Sequence, residues 1–344
     1  MSSLRQFEVR GAALVVREYR PDDLDGCVDC YNAIFPVDDP RVPPIDHATW
    51  RWKYDPSWSG LRTILVAEHP EIGIAGAYPS QPLRAHCEGR EILVSHGTDL
   101  MVRHDWRRVG PRPGLFVTLG LAFNERFSSA GGPLNSFHYG WPVPAWRMGQ
   151  RYLGYENARD WNFVAREIPI ERRALLQAPD GVAVQEVEAA PADTDALFAS
   201  VREGYRLSLV KDRGWFDWRY VAHPARNYRL FECRDGQRLR GLAVYTVADF
   251  RRPHTSFVVE LLVDPTDGDA LRALVAACEA QAYADETGAL ASVFSPVDPR
   301  FTALQRIGYD VLDSGYFMVV AAFGIDVRFV RENFFFTMGD SDLI

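Results

Sequence analysis

Short apolar runs alternate with helix-like spacings along the whole chain. In the first half, we expect strands at the apolar runs, and a tight turn joins the second and third strands into a hairpin. Between strands, apolar side chains recur every three or four residues, which predicts helices with one buried face. The predicted strands of this half are 12–18, 63–68, 72–78, 91–103, 134–139 and 161–166.

One predicted strand, 91–103, leads through a basic turn directly into the clearest amphipathic helix, which buries Phe116 and Phe123. The first N–H groups of a helix lack internal partners, and the helix dipole places partial positive charge there. Full positive charges from the turn itself add to this effect. A strand that aims such a turn at a cleft predicts an anion site. The arginines of the turn are Arg107, Arg108 and Arg112.

The order of elements repeats in the second half, which predicts two copies of one mixed α/β unit. An acidic stretch, 264–269, takes the place of the basic turn there, and it would repel a phosphate. Only the first half therefore carries a predicted anion site. The segments 52–54, 73–76 and 153–156 recur at 218–220, 241–244 and 307–310, with offsets of 166, 168 and 154 residues.

Composition agrees with two globular domains and limits the possible partners. A chain of 344 residues is too long for one ordinary core. The net charge of −8 argues against binding nucleic acid over a broad surface. No apolar run approaches the length of a membrane span, and no signal peptide is evident, so we expect a cytoplasmic protein with no membrane partner. The five scattered cysteines are expected to be buried structural residues.

The basic turn and the repeat resemble the GNAT superfamily of acyl-CoA-dependent N-acyltransferases, in its tandem-domain form. The turn is similar to the pyrophosphate-binding motif of that superfamily, and 153–156 is similar to its Leu-Gly-Phe-Glu ending. The resemblance implies an α/β fold with two GNAT-like domains, each a mostly antiparallel sheet splayed like a V and flanked by helices. We place the domains at 1–168 and 169–325, followed by a tail at 326–344 with an added strand.

The resemblance also implies where an acyl-CoA, most simply acetyl-CoA, would bind in the first domain, without a metal. The backbone of one strand would pair with the pantetheine arm, and the turn would hold the pyrophosphate. The sequence departs from the motif at Arg112, where a small residue is usual, and at Pro111 and Pro113, which lack an N–H. The implied cofactor-binding residues are Leu100, Met101, Val102, Arg107, Arg108, Val109, Gly110, Arg112 and Gly114.

Attack of an amine on a thioester requires a group that takes a proton from the amine. The tyrosine acid that is usual in the family is replaced by Gln150. We favour Asp99 as the base, then His96, then His138. Asp99 and His96 are expected to lie on one strand three residues apart, so only one of them would face the cleft. Each of the three could instead be a buried polar residue that serves hydrogen bonding alone.

Two further features are candidates for binding the acceptor. Trp141 and Trp146 have no counterpart in the second half and could line an acceptor pocket, whereas most other aromatic residues are expected to pack in the core. Asp340 and Asp342, which follow the apolar tail, could meet a cationic acceptor between the domains or could lie in a solvated terminus.

These expectations favour a transferase that moves an acyl group from acyl-CoA to an amine of a small molecule by direct attack. One alternative is an aminoacyltransferase that uses aminoacyl-tRNA, which the prolines of the turn suggest and the acidic charge opposes. The other alternative is a degenerate GNAT pair that binds a ligand without catalysis. The sequence leaves the acceptor and the oligomeric state open.

Overall fold

The computed structural model describes residues 4–55, 58–128, 135–141 and 146–344. These residues form sixteen strands and ten α-helices. The strands are β1 (Arg5–Val9), β2 (Ala12–Glu18), β3 (Thr63–His69), β4 (Gly73–Cys87), β5 (Arg90–Gly97), β6 (Met101–Val102), β7 (Phe137–Gly140), β8 (Glu156–Glu167), β9 (Ala183–Val187), β10 (Leu207–Leu209), β11 (Arg229–Asp235), β12 (Arg238–Phe250), β13 (Arg252–Val263), β14 (Ala289–Val293), β15 (Asp310–Ala322) and β16 (Phe334–Phe335).

The helices are mostly short, and several begin at an aspartate whose side chain accepts a backbone N–H, as the carboxylates of Asp46 and Asp298 do. No helix in the described residues is long and apolar enough to cross a bilayer. The α-helices are α1 (Leu24–Asn32), α2 (Phe35–Asp38), α3 (His47–Tyr54), α4 (Leu115–Phe127), α5 (Trp146–Tyr152), α6 (Thr194–Val201), α7 (Arg213–Phe216), α8 (Gly268–Ala284), α9 (Pro299–Arg306) and α10 (Val327–Asn333).

The chain forms two compact units, and each unit is built from three separate segments of the chain. The first unit contains the described residues of Met1–Arg84 and Ile92–Ala158, together with Phe317–Val327. The second unit contains the remaining described residues. These are Ala85–Glu91, Arg159–Tyr316 and Arg328–Ile344.

The sheet of the first unit runs β1-β2-β3-β4-β5-β7 and ends on residues 317–322 of β15. β5 and β7 are parallel, and their last paired residues are Gly97 and Gly140. Beyond that pair the chain leaves the strand, Asp99 takes a positive φ of 54°, and β6 then pairs with β4. The prediction of one continuous strand over 91–103 was therefore wrong, because the left-handed residue at 99 interrupts it.

The core of the first unit forms where α4 packs on the sheet. Phe123 contacts Tyr78 of β4 with 5.0 Å between ring centroids, and Leu119 is fully buried beside them. Phe116 and Phe127 lie in the same apolar cluster, so the predicted face of this helix is confirmed. The predicted hairpin is also confirmed as β3 and β4, which pair antiparallel.

The sheet of the second unit runs β8-β14-β13-β12-β11-β9, and α8 packs on it through Leu271, Leu274 and Cys278. A separate small group of strands joins β10 to β16 in parallel and to residues 85–87 of β4. With helices on a mixed sheet in both units, the predicted α/β class is confirmed.

Strand register shows the internal repeat directly. Gly76 pairs with Val102 in the first unit, and Gly241 pairs with Val263 in the second. Ser95 pairs with His138 in parallel, as Ser256 does with Leu290. The register makes Gly241 the equivalent of Gly76 in the repeat, at an offset of 165 residues. The sequence match at 168 residues was therefore three positions out of register, since two similar glycine-rich runs can be aligned either way.

Candidate functional site

The basic loop, residues 107–114, connects β6 to α4 and leaves the start of that helix open. Gly114 occupies the N-cap position with φ of 129°, and no side chain caps the helix. The first hydrogen bond of the helix runs from the Thr118 N–H to the Gly114 carbonyl, so the N–H groups of residues 115–117 precede it. A Cβ on Gly114 would lie 2.8 Å from the Arg107 carbonyl oxygen, which explains why glycine stands there.

The loop keeps positive charge but uses part of its backbone internally. Arg108 and Arg112 are exposed and form no ion pair with any described residue. Arg107 Nη2 lies 3.0 Å from Asp38, whose pKa is lowered by hydrogen bonds from His104 and Arg107. The backbone N–H of Val109 donates to the Trp106 carbonyl just before the loop, and that of Gly114 donates to the Pro111 carbonyl within it. An anion here would therefore meet arginine side chains more than loop N–H groups.

One edge of β6, which we call the open edge, has no strand partner among the described residues, and Arg107 Nε donates to the Val102 carbonyl at 3.4 Å. Among the described strands, Met101 and Val102 pair with β4 alone, although β5, which precedes them, pairs with β7. The paired strands β5 and β7 thus separate directly after Gly97 and Gly140. A linear polar arm could hydrogen-bond along this edge from the loop toward Leu100.

A small cavity lies at the point where the strands part. We call it the apex cavity, and its volume is about 20 Å³, enough for one water-sized group. Leu100, at the end of the open strand edge, is one of its walls. The lining residues are Gly97, Leu100, His138, Gly140, Trp141, Trp146, Tyr155 and Val319.

His138 is the one of the three predicted bases that lines the apex cavity. Its Nδ1 lies 2.8 Å from Ser95 Oγ, and its ring stacks on Tyr155 at 6.0 Å. Burial, with a smaller contribution from His96, lowers the pKa of His138 to about 3. The imidazole is therefore neutral at physiological pH and can make hydrogen bonds without carrying charge.

The other two predicted bases lie in structural contacts. Asp99 Oδ2 accepts hydrogen bonds from Lys53 Nζ at 2.7 Å and from Tyr54 Oη at 2.6 Å. His96 stacks on Tyr139 at 4.8 Å, and its Nδ1 lies 3.2 Å from Gln81 Oε1. The expectation that Asp99 and His96 share a strand was wrong, because β5 ends at Gly97.

Comparisons with solved structures identify the architecture. A probable N-acyltransferase of Enterococcus faecalis matches with a TM-score of 0.62 and 11% identity over 92% of this chain and 74% of that one. A GCN5-related N-acetyltransferase of Kribbella flavida matches with a TM-score of 0.60 and 16% identity over 90% and 71%. The chain has the GNAT fold. No protein-family model and no curated protein sequence matches it.

A third structure with the GNAT fold shows how widely the fold is used. The N-myristoyltransferase of Saccharomyces cerevisiae, with bound myristoyl-CoA, matches with a TM-score of 0.55 and 11% identity. The match covers 89% of this chain and 80% of that one. The expected resemblance to GNAT proteins is therefore confirmed for the fold.

The second unit repeats the strand arrangement of the first, and within it the equivalent of the open strand edge is contacted by residues of the second unit itself. Glu260 stands in β13 three residues before Val263, as Asp99 stands three residues before Val102. Tyr220 donates to Glu260 as Tyr54 donates to Asp99. This equivalence indicates that Asp99 belongs to the scaffold, because a unit without a basic loop has the same pair.

The predicted acceptor residues of the tail lie in this second unit. Asp340 is buried, with Oδ1 2.9 Å from Lys211 Nζ and Oδ2 accepting from the Thr337 N–H at 2.8 Å. Lys211 also donates to Glu260. Burial raises the pKa of Asp340 to about 6. Asp342 is partly exposed.

Residues of the tail also contact β13 and the end of β14 in this unit. Thr337 forms a β-bridge with Phe294, just past the end of β14. Arg300, fully buried, donates to the Leu261 carbonyl of β13 and is held by Asp298. These residues occupy the edge that corresponds to the open edge at Leu100 in the first unit.

The structure brings several residues to the apex cavity that the sequence did not single out. Gly97 and Gly140 approach so closely that a Cβ on Gly140 would lie 2.7 Å from the Gly97 carbonyl. Tyr155 hydrogen-bonds Tyr78 through their hydroxyls. Burial raises the pKa of Tyr155 to about 12. A glycine at the end of each of two apolar strands was the one signal that could have pointed here.

Proposed function

We propose that the first unit binds an acyl-CoA and that the protein transfers the acyl group to an amine of a small molecule. The observation that carries this proposal is the continuity of three features within one unit. The basic loop, the open edge of β6 and the apex cavity follow one another along the chain. Arg107, Arg108 and Arg112 suit a pyrophosphate, and the strand edge suits the amides of a pantetheine arm.

The loop residues divide into two roles in this proposal. Arg108 and Arg112 bind phosphate by charge, and Arg107 does so while held by Asp38. Gly110 and Gly114 provide positive φ values of 87° and 129°, which let the chain turn into α4. Val109 lies partly buried against the core and anchors the loop.

The proposed reaction forms a C–N bond from the acceptor and breaks the C–S bond of the thioester. The amine loses one proton and the CoA sulfur gains one, so no further reactant is needed. His138 hydrogen-bonds the reacting group from the wall of the cavity. Its pKa of about 3 makes it too weak a base to hold the amine proton at neutral pH, so that proton leaves through water.

The neighbours with the same fold support acyl transfer, since one is a probable N-acyltransferase and another is a GCN5-related N-acetyltransferase. The fold alone does not select the acyl chain, because N-myristoyltransferase has it as well. Trp141 and Trp146, the predicted acceptor-side residues of the first unit, both line the apex cavity, where the thioester and the acceptor amine would meet in this proposal.

Titration calorimetry with acetyl-CoA and with free CoA tests the proposal. We expect binding to the wild-type protein, weaker binding after Arg108→Gln with Arg112→Gln, and unchanged binding after Arg238→Gln in the second unit. Absence of binding at millimolar ligand would contradict the proposal. Release of free thiol in the presence of a panel of amines then separates an enzyme from a binding module, and co-purified tRNA would favour the aminoacyl-tRNA alternative.

A further inference from the structure

The apex cavity is small, and its inner walls are fixed. His138, Tyr155 and Val319 are each at most 5% exposed. Hydrogen bonds hold the first two, from His138 to Ser95 and from Tyr155 to Tyr78. Close-packed walls of this kind resist enlargement, because their side chains have no free space to move into.

The floor of the apex cavity is set by backbone. Gly140 pairs with Gly97 on one side and with Val319 on the other. A Cβ on Gly97 would collide with the imidazole of His138. The strands are thus as close as glycine permits, and the space beyond them depends on the few side chains that surround it.

The outer wall is formed by Trp146 at the start of α5. Its ring meets Phe317 edge-on at 5.3 Å between centroids, so the indole is held by a second aromatic side chain. Trp146 is only partly buried, unlike the inner walls. Its removal would therefore open the cavity with less disturbance of the core than removal of an inner wall.

We propose, on the basis of the proposed function, that Trp146 and Val319 restrict the acyl donor to a short chain such as acetyl. An arm that runs along the edge of β6 from the basic loop ends beside Leu100, at the cavity. A space of about 20 Å³ accommodates a methyl group and excludes a longer chain. The fold itself sets no such limit, since a protein with the same fold has bound myristoyl-CoA.

The restriction on the acyl donor follows from how well short and long acyl chains fit the apex cavity. A chain longer than acetyl must either displace Trp146 from Phe317 or extend out of the cavity, away from its packed walls. Both choices weaken binding of the long acyl-CoA relative to acetyl-CoA. Neither affects the contacts of the CoA portion with the loop, so free CoA serves as the internal reference.

Calorimetric titration of the full chain with CoA, acetyl-CoA and hexanoyl-CoA provides the test. We expect acetyl-CoA to bind about 10-fold more tightly than hexanoyl-CoA. Trp146→Ala and, independently, Val319→Ala should narrow that ratio while affinity for free CoA stays unchanged. Trp218→Ala, which removes a partly buried tryptophan of the second unit, should leave the ratio as it is.

The outcomes separate this inference from the proposed function. If acetyl-CoA and hexanoyl-CoA bind the wild-type protein equally, or if neither enlarging variant changes a ratio that exists, the inference is wrong and acyl-CoA binding stands. If no form of CoA binds, the proposed function fails and the inference fails with it. The wild-type series alone decides the first point, so a variant that does not fold leaves the inference testable.

Discussion

The two units place the same strand–loop–helix element on the same scaffold and finish it in opposite ways. In the first unit, α4 begins at Gly114 with no capping side chain, beside three arginines. In the second, α8 begins at Asp267, whose carboxylate accepts the Ala270 N–H at 3.0 Å and lies 2.6 Å from Arg240. One helix start is open to an external anion, and the other carries its own.

The strand edges differ in the same sense. The edge at Leu100–Val102 has no strand partner beyond β4 among the described residues. The equivalent edge of β13 is contacted by Arg300 and by the cluster of Lys211, Glu260 and Thr337. The comparison shows two ways to complete one scaffold: in the second unit, a capping carboxylate and a segment of the chain itself take the positions that we propose for a ligand in the first.

The largest loss of stability should come from replacing Lys211, the cation of the cluster that contacts the edge of β13. Lys211→Met leaves the carboxylates of Glu260 and Asp340 buried without their counter-ion, and we expect a loss of about 3–5 kcal/mol in the free energy of unfolding. The measurement is urea denaturation at pH 7.

The matched variant for that comparison is Lys53→Met in the first unit. Both members of the Lys53–Asp99 pair are 11% exposed, and Asp99 keeps its bond from Tyr54. The expected loss is smaller, about 1–2 kcal/mol. Equal losses in the two variants would show that the second edge is no more dependent on its internal cation than the first.

Between pH 4.5 and pH 7.5, a change in stability of about 2 kcal/mol should arise from Asp340 in the same cluster. Lys211, Glu260, Thr337 and Tyr220 surround this carboxyl, and burial raises its pKa from 3.8 to about 6. The folded chain therefore binds more protons than the unfolded chain between about pH 4 and pH 6. Stability from this group is highest below that window and declines as the pH rises through it.

Asp340→Asn isolates this contribution. The difference in free energy of unfolding between the wild-type protein and the variant should change between pH 4.5 and pH 7.5. The wild-type protein should become less stable relative to the variant as the pH rises. Identical pH profiles would mean that the cluster adapts to the charge of Asp340 without cost.

Much of this arrangement follows from sequence patterns, because burial imposes them. The period of Phe116, Leu119, Phe123 and Phe127 defines the face of α4, and the glycine-rich turn places its start. The repeat was visible because both copies need an aromatic helix end before the hairpin, at Tyr54 and Tyr220. Local patterns of this kind are strong enough to indicate the fold class and the loop.

Contacts between residues far apart in the chain could not be predicted from the sequence. Nothing near Asp99 indicates that Lys53 binds it 46 positions away, or that Asp99 breaks the strand with a positive φ. The apex cavity gathers residues from Gly97 to Val319, and its walls depend on register rather than on composition. The pairing of Asp340 with Lys211 likewise spans more than a hundred residues.

Glycine at the two helix starts should have unequal importance. Gly114→Ala places a Cβ 2.8 Å from the Arg107 carbonyl at a φ of 129°, and we expect a loss of about 1–3 kcal/mol in stability together with weaker CoA binding. Gly268→Ala, at the first residue of α8, meets no atom within 4 Å. It should leave both quantities unchanged, as thermal unfolding and calorimetry would show.

If Gly114→Ala were as well tolerated as Gly268→Ala, the tight approach of the loop to α4 would not be a requirement of the first unit. The difference between the two helix starts would then rest on charge alone. Measuring stability and CoA affinity in the same samples distinguishes a general loss of folding from a local change in the loop.

The smallest effect, yet the one that tests the comparison most directly, concerns charge. Arg107→Ala removes one of the three cations proposed to bind phosphate and leaves Asp38 without this partner beside the loop, so CoA affinity should fall about 10-fold. Asp267→Ser keeps a capping hydroxyl on α8 while removing the carboxylate, and CoA affinity should not change. Stronger CoA binding in Asp267→Ser than in the wild-type protein would show that the second helix start can still accept a phosphate, and that the carboxylate alone had closed it.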